Sequence, residues 1–195
     1  VYTKSEIGSL GDLNDYIDLI INGDAVFNGE QSFPFDTNAE AGSLKDTIKI
    51  DISTGDEIIP SAIELFYPRM FNNEKIQILS YNIETMLAEK LETIISRGDQ
   101  NTRPRDFYDV YILNTLQKKN IDNQILKEAF TATVKKRGTE HIVTNYKEII
   151  ETVLKSPAMK DQWTRYQKEF DYAKDIWFED TCRAAIDLID ITEGK

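Results

Sequence analysis

The stretch from residue 81 to residue 113 most constrains what this chain can fold into, because it carries the start and stop signals of helices. Asn82 is a favourable N-cap residue, and Arg97 with Gly98 provides a basic last residue followed by a C-cap glycine. Five apolar residues recur between these ends at helical spacing: Ile83, Leu87, Leu91, Ile94 and Ile95. The pattern predicts a helix from about residue 83 to residue 97.

A second helix is predicted directly after a basic loop that ends in Arg103-Pro104-Arg105. Proline suits the first turn of a helix, because the N–H that it lacks would have no partner there. The apolar residues that follow have helical spacing: Phe107, Val110, Tyr111 and Leu113. The segment therefore predicts two helices joined by a short, positively charged loop.

Three charged residues interrupt the apolar pattern of these helices. Lys90 lies beside Leu91 at the border of the first apolar face. Asp106 and Asp109 are three residues apart on one side of the second helix, where two carboxylates repel each other. We expect Lys90 to approach Asp106 and relieve that repulsion. From the residues alone, a structural ion pair and a functional site are both open interpretations.

Composition limits the classes of function. The formal net charge of −11 and the sequence pI of about 4.6 argue against broad electrostatic binding to nucleic acid. A confined basic site remains possible at Arg97, Arg103 and Arg105. The single cysteine, Cys182, permits no internal disulfide and is typical of a reducing cytosol. No run of 18 apolar residues is present, so we expect a cytoplasmic protein without a membrane span.

The remaining pattern predicts an α+β fold. Apolar residues alternate with polar residues over residues 47–53 and 75–79, which predicts strands. A helix is predicted at 10–22, and residues 25–46 are read as loop with one short strand. The later helices are predicted at 122–137, 142–154, 157–172 and 176–189. The expected domains are residues 1–80, which contain the strands, and residues 81–195, which are helical.

Other candidate sites are weak. Lys49 and Asp51 share the polar face of the strand at 47–53, and Mg²⁺ prefers carboxylate oxygen, although a solvated strand face gives the same pattern. His141 is the single histidine, which argues against a multi-histidine zinc site and against Ser-His-Asp catalysis. Five aromatic residues are expected to pack in the core of the last helices: Trp163, Tyr166, Phe170, Trp177 and Phe178.

Three segments occur in an order that resembles a known family. They are KIDI at 49–52, ETMLAEK at 84–90 and RPRDFYDVY at 103–111. Together they resemble the AbiEii/AbiGii-type nucleotidyltransferases of abortive-infection and type IV toxin–antitoxin systems, most clearly over residues 45–120. The resemblance implies a partial nucleotidyltransferase-type β-sheet with a helix, followed by a C-terminal helical bundle.

The resemblance also implies a function. It implies a nucleoside triphosphate substrate, Mg²⁺, RNA (tRNA) or protein as the acceptor of the nucleotide, and a cognate antitoxin as a partner. By motif position, Asp51 would face the metal, Lys90 would contact the triphosphate and Asp106 would be an essential carboxylate. Further motif positions would bind substrate, and the two arginines would contact phosphate or RNA: Lys49, Glu84, Asp109, Arg103 and Arg105. We therefore expect Asp51, Lys90 and Asp106 to line a common cleft.

One departure from the family pattern bears on activity. The family's first motif is a Gly-Ser followed after about ten residues by Asp-x-Asp, and this sequence contains no Asp-x-Asp. The chain begins with Val1, so we expect that the motif either precedes this residue or has degenerated. We predict that the chain alone does not transfer nucleotides. A non-catalytic nucleotide- or protein-binding module and a phosphotransferase are the alternative interpretations.

Overall fold

The computed structural model describes residues 33–41, 44–52, 57–68 and 74–194, with side chains described from residue 57 onward. The chain divides into two compact units, Val1–Asp56 and Glu57–Lys195. The helix predicted at 10–22 lies outside the described residues. The predicted domain boundary after residue 80 stays a prediction.

The first unit contains an antiparallel hairpin of two strands, β1 (Phe33–Ala41) and β2 (Leu44–Ile52). The register pairs Asp36 with Lys49 and Pro34 with Asp51. The strand predicted at 47–53 is confirmed as part of β2. The prediction of a loop with one short strand at 25–46 is wrong in extent, because β1 occupies nine residues of this segment. This segment is extended because it pairs with β2. Its Asp and Asn residues have low strand propensity, so the sequence alone did not indicate a strand of this length.

The second unit begins with another antiparallel hairpin, β3 (Ile63–Pro68) and β4 (Lys75–Ser80). The strand predicted at 75–79 is confirmed. Seven large apolar side chains of this hairpin are exposed: Ile63, Leu65, Phe66, Tyr67, Ile76, Ile78 and Leu79. A two-stranded hairpin is marginally stable in water by itself. The hydrophobic core of the unit therefore comes from the helices.

Seven α-helices follow within residues 83–193. They are α1 (Ile83–Arg97), α2 (Pro104–Leu116), α3 (Asn123–Arg137), α4 (Glu140–Val143), α5 (Tyr146–Lys155), α6 (Pro157–Glu169) and α7 (Phe178–Glu193). Short 3-10 turns occur at Gly98–Gln100 and Asp171–Ala173. The predicted α+β class is confirmed. The prediction of one continuous helix at 142–154 is wrong, because Thr144 and Asn145 separate two helices there, α4 and α5.

Helix α1 lies at the centre of this helical unit. It packs against α2, α3, α4 and α5, while α7 packs against α2, α3 and α5. Leu87, Ala88, Leu91 and Ile94 of α1 are fully buried. A side chain at the border of this face, such as that of Lys90, is therefore held on a well-packed helix.

The ends of α1 are fixed by specific contacts. The Asn82 side chain accepts a hydrogen bond from the Thr85 backbone N–H at 2.8 Å and donates one to the Ile59 carbonyl at 2.5 Å. Gly98 ends the helix with a φ of 52°, a backbone conformation that side chains disfavour. Both predicted caps are confirmed, so the position of Lys90 along α1 is defined from both ends.

The aromatic set expected in the core is confirmed in part. Trp163, Tyr166 and Phe178 are buried, and Phe170 is partly buried. Trp177 is 73% exposed, so its predicted burial is wrong. It occupies the N-cap position of α7 with extended backbone, outside the helical periodicity from which the prediction was made. No helix among the described residues has the length and apolar character needed to cross a membrane.

Candidate functional site

The candidate site lies where α1 meets α2. The Lys90 Nζ is 3.1 Å from the Asp106 Oδ1 and 2.7 Å from the Asp109 Oδ2. The three-residue spacing places both carboxylates on one side of α2, as the helical pattern predicted. The expected approach of Lys90 to Asp106 is therefore confirmed, and Asp109 joins the pair. We call Lys90, Asp106 and Asp109 the ion-pair cluster.

The ion-pair cluster is open to solvent at one side. The side chains of Lys90, Asp106 and Asp109 are 24%, 13% and 24% exposed. An ammonium group has three N–H donors, and the two carboxylates engage two of them. Among the described residues, no other acceptor is bonded to the Lys90 Nζ. A ligand oxygen could accept from the third donor without breaking either ion pair.

The electrostatics keep Lys90 charged. Burial disfavours the ammonium form, but the hydrogen bond and charge of Asp109, together with those of Asp106, outweigh it and raise the Lys90 pKa above its ordinary value. One ammonium against two carboxylates gives the cluster a formal charge of −1. An anionic ligand therefore needs further positive charge nearby.

The end of the loop between α1 and α2 and the first turn of α2 supply such charge. The Arg105 side chain is 78% exposed, and its Nε is 3.7 Å from the Asp109 Oδ2. Arg103 is also exposed, and its backbone N–H donates to the Asn101 Oδ1 at 2.7 Å. Asn101 is fully buried, which anchors the loop while both arginine side chains extend into solvent. The proposed contacts of these arginines with phosphate or RNA stay predictions.

Glu84 has a defined structural contact. Its side chain is buried, and its Oε1 accepts a hydrogen bond from the Asp122 backbone N–H at 2.8 Å. Asp122 is the N-cap of α3, so Glu84 ties the first turn of α1 to the start of α3. Its predicted role in substrate binding is not tested by this contact and stays a prediction.

Lys49 and Asp51 lie on β2, in the other compact unit. They are two residues apart on one strand, so they share a face of that strand, as predicted. Their predicted roles in substrate and metal binding stay predictions. The predicted cleft shared with Lys90 and Asp106 also stays a prediction.

Mg²⁺ requires several hard oxygen ligands. No group of three or more His, Cys, Asp or Glu side chains that could hold a metal ion occurs in the part of the chain whose side chains are described. The carboxylates of Asp106 and Asp109 are both engaged by Lys90. The residues described here therefore do not form a metal site by themselves.

Aromatic side chains adjoin the ion-pair cluster. Tyr108 directly precedes Asp109 on α2, and its ring centroid is 4.7 Å from that of Tyr172. Tyr166 and Phe170 complete the group, with centroids 6.2 Å and 5.4 Å from that of Tyr172. The sequence analysis did not predict Tyr108 or Tyr172 as site residues. For Tyr108, its position directly before Asp109 in the sequence is the signal that could have indicated a place beside the site.

A pocket among the described residues lies elsewhere. Its volume is about 470 Å³, and it is lined by α6, by the segment between α6 and α7, and by the start of α7, including Lys160, Trp163, Gln167, Lys174 and Trp177. The Gln167 Nε2 donates to the carbonyls of Ala173, Lys174 and Ile176, which holds the wall of the pocket in place. The pocket contains none of the predicted site residues, so its size does not bear on the ion-pair cluster.

Comparison with known proteins identifies the family. The family model described as nucleotidyl transferase AbiEii toxin, type IV TA system, matches residues 8–185. The chain belongs to the AbiEii family. No curated protein and no solved structure gives a significant match. The resemblance inferred from the three motifs is therefore confirmed.

Membership of the AbiEii family fixes the general function. The chain is a nucleotidyltransferase-like toxin of a type IV toxin–antitoxin system. The family implies a nucleotide substrate and an antitoxin partner, and nucleotidyltransferases generally use a divalent metal. The match extends through both compact units of this AbiEii chain.

Proposed function

We propose that the ion-pair cluster binds the triphosphate of a nucleoside triphosphate, with Lys90 as the contacting group. The single observation that carries the proposal is the meeting of two distant motifs at one solvent-accessible ammonium, 3.1 Å from Asp106 and 2.7 Å from Asp109. The two ion pairs engage two of the three N–H donors of the Lys90 ammonium, which leaves one donor for a ligand oxygen. The partial exposure of all three side chains favours a ligand.

The chemistry of nucleotidyl transfer explains why such a group is needed. The acceptor hydroxyl oxygen attacks the α-phosphorus, the bond to the β-phosphate breaks, and pyrophosphate leaves with added negative charge while the hydroxyl proton is released. A fixed ammonium near the leaving phosphates stabilises that charge. Asp106 and Asp109 hold the Lys90 side chain in one position, so it need not be ordered when the nucleotide binds.

We further propose that this chain binds nucleotide but does not transfer it unaided. The family pattern places Asp-x-Asp in its first motif, and the sequence has none. The motif resemblance alone supports three further assignments: Mg²⁺ as the metal, Asp51 as its ligand and tRNA as the acceptor. Lys49 and Glu84 are proposed substrate contacts on the same ground.

Nucleotide titration of the Lys90→Met variant tests the phosphate contact. Methionine keeps an unbranched apolar stem but removes the ammonium. A charge-assisted hydrogen bond contributes about 1.5–3 kcal/mol, so we expect affinity for a nucleoside triphosphate to fall by about 10- to 150-fold. Lys127→Met is the matched control, because Lys127 is exposed on α3. Equal affinity of the two variants would refute the assignment of Lys90.

Transfer is tested separately. The chain is incubated with Mg²⁺, radiolabelled nucleoside triphosphates and total tRNA, and the RNA is examined for label. We expect no labelling above that of a sample without protein. Robust labelling would overturn the proposal that the chain is inactive unaided, while leaving the proposed role of Lys90 intact. Asp51→Asn then tests the metal assignment, because it should lower any Mg²⁺-dependent gain in nucleotide affinity.

A further inference from the structure

The aromatic group beside the ion-pair cluster has a feature that core packing does not explain. Tyr172 is 54% exposed, although three aromatic rings surround it. The Tyr166 and Tyr172 hydroxyl oxygens are 3.1 Å apart, within hydrogen-bond distance. The contacts with neighbouring rings therefore hold Tyr172 in place, while the residue as a whole remains 54% exposed.

This exposed ring is linked to the proposed phosphate site through α2. Arg105 lies three residues before Tyr108 and four before Asp109, so all three side chains occupy neighbouring positions on the helix surface. Tyr108 contacts the ring of Tyr172, and Asp109 binds Lys90. The exposed aromatic residue and the Lys90 ammonium are thus connected through two consecutive residues of α2, and the Arg105 Nε lies 3.7 Å from the second of them, Asp109.

The electrostatic environment of the tyrosines agrees with this connection. Burial raises the pKa of Tyr108, and the neighbouring Tyr172 and the charge of Asp109 raise it further. Burial and the hydrogen bond to Tyr172 raise the pKa of Tyr166, while the Arg105 charge acts in the opposite direction. The charged residues of the site are therefore within electrostatic range of the aromatic group.

We infer that Tyr172, supported by Tyr108, is a stacking surface for the nucleobase of a ligand whose phosphate is bound at Lys90. The inference rests on the proposed function. Nucleobases stack on exposed aromatic side chains regardless of sequence, and an adjacent arginine or lysine binds the phosphates. The base could belong to the nucleoside triphosphate or to a single-stranded RNA acceptor, which present the same chemistry to the ring.

Titration with three probes tests this inference and separates the two sources of the base. The probes are a nucleoside triphosphate, a short single-stranded RNA and inorganic tripolyphosphate, which has no base. We expect Tyr172→Ala to weaken one of the two base-containing probes by about 5- to 150-fold and to leave tripolyphosphate binding unchanged. Weaker triphosphate binding identifies the donor base, and weaker RNA binding identifies the acceptor base.

Two further variants guard against a loss of structure. Tyr172→Leu keeps apolar packing but has no aromatic face, so it should weaken the same probe as Tyr172→Ala. Tyr172→Phe keeps the face and loses only the hydroxyl, so it should bind within about twofold of the unmodified chain. Trp177→Ala is the matched control, because Trp177 is also exposed and aromatic but lines a different pocket.

The outcomes distinguish this inference from the proposed function. If Lys90→Met weakens tripolyphosphate while Tyr172→Ala and Tyr172→Leu weaken neither base-containing probe, the stacking surface is refuted and the phosphate site stands. If Tyr172→Ala weakens a base-containing probe and Lys90→Met leaves every probe unchanged, the stacking surface stands and the phosphate site is refuted. Equal effects of Tyr172→Phe and Tyr172→Ala would also refute stacking.

Discussion

Replacing Lys90 with methionine separates the structural contribution of the ion-pair cluster from its functional contribution. Without the ammonium, Asp106 and Asp109 remain as two partly buried carboxylates on one side of α2. Exposed ion pairs contribute about 0–1 kcal/mol, whereas removing one partner of a fully buried pair costs about 3–5 kcal/mol. Side chains that are 13–24% exposed lie between these two cases, so we expect Lys90→Met to lower the free energy of unfolding by about 1–2 kcal/mol.

The assay combines thermal unfolding with nucleotide titration. A loss of about 1–2 kcal/mol corresponds to a decrease in Tm of about 2–8 °C for a chain of this size, so Lys90→Met should still fold. Adding Asp106→Asn and Asp109→Asn to Lys90→Met removes the unpaired charges and should restore most of the lost stability. The triple variant should still bind nucleotide as weakly as Lys90→Met does, because the ammonium is absent.

Two results would refute this reasoning. If Lys90→Met unfolds at the same temperature as the unmodified chain, the ion pairs contribute nothing to the free energy of unfolding. The stability expected from their distances and burial would then be wrong. If the triple variant recovers nucleotide affinity together with stability, Lys90 acts only as a structural partner of two carboxylates.

Three other predictions follow from single contacts. Because the folded-state pKa of Lys90 is raised, its ion pairs stabilise fully below about pH 10.4, and the stability difference between the unmodified chain and Lys90→Met should shrink as pH rises above this value, as measured by urea unfolding. Glu84→Gln keeps an acceptor for the Asp122 N–H and should keep the Tm, so weaker nucleotide binding by this variant would indicate a substrate contact. Burial raises the pKa of the Cys182 thiol to about 12, so a thiol reagent at neutral pH should label it only after unfolding.

The helical part could be predicted from the sequence because its end signals act locally. Asn82, Asp122 and Ser156 each accept a hydrogen bond from a backbone N–H in the first turn of the following helix. Gly98 and Gly138 end helices with positive φ. These contacts lie within a few residues of each other in the sequence. The approach of Lys90 to Asp106 could be predicted because both residues border the apolar faces of the two helices that pack together.

Other features could not be predicted because they depend on the tertiary environment. Trp177 directly precedes Phe178, yet its extended backbone at the N-cap of α7 leaves it exposed, while Phe178 is buried in the core. The exposure of Tyr172 depends on the 3-10 turn at Asp171–Ala173, which carries no apolar period. Likewise, the alternation in β2 predicts which residues share a face with Asp51, but it does not specify what that face meets.

The charge of the site links the ion-pair cluster to the basic loop. The ion-pair cluster carries a formal net charge of −1. By itself it therefore does not attract a triphosphate, which carries several negative charges. Arg103 and Arg105 are exposed and change the formal sum to +1. The Arg105 Nε lies 3.7 Å from the Asp109 Oδ2, and the Arg103 backbone is bound by the buried Asn101 side chain two residues before it. In the proposed function, the carboxylates therefore orient Lys90 for phosphate contact, while the two arginines provide the net attraction that the carboxylates remove.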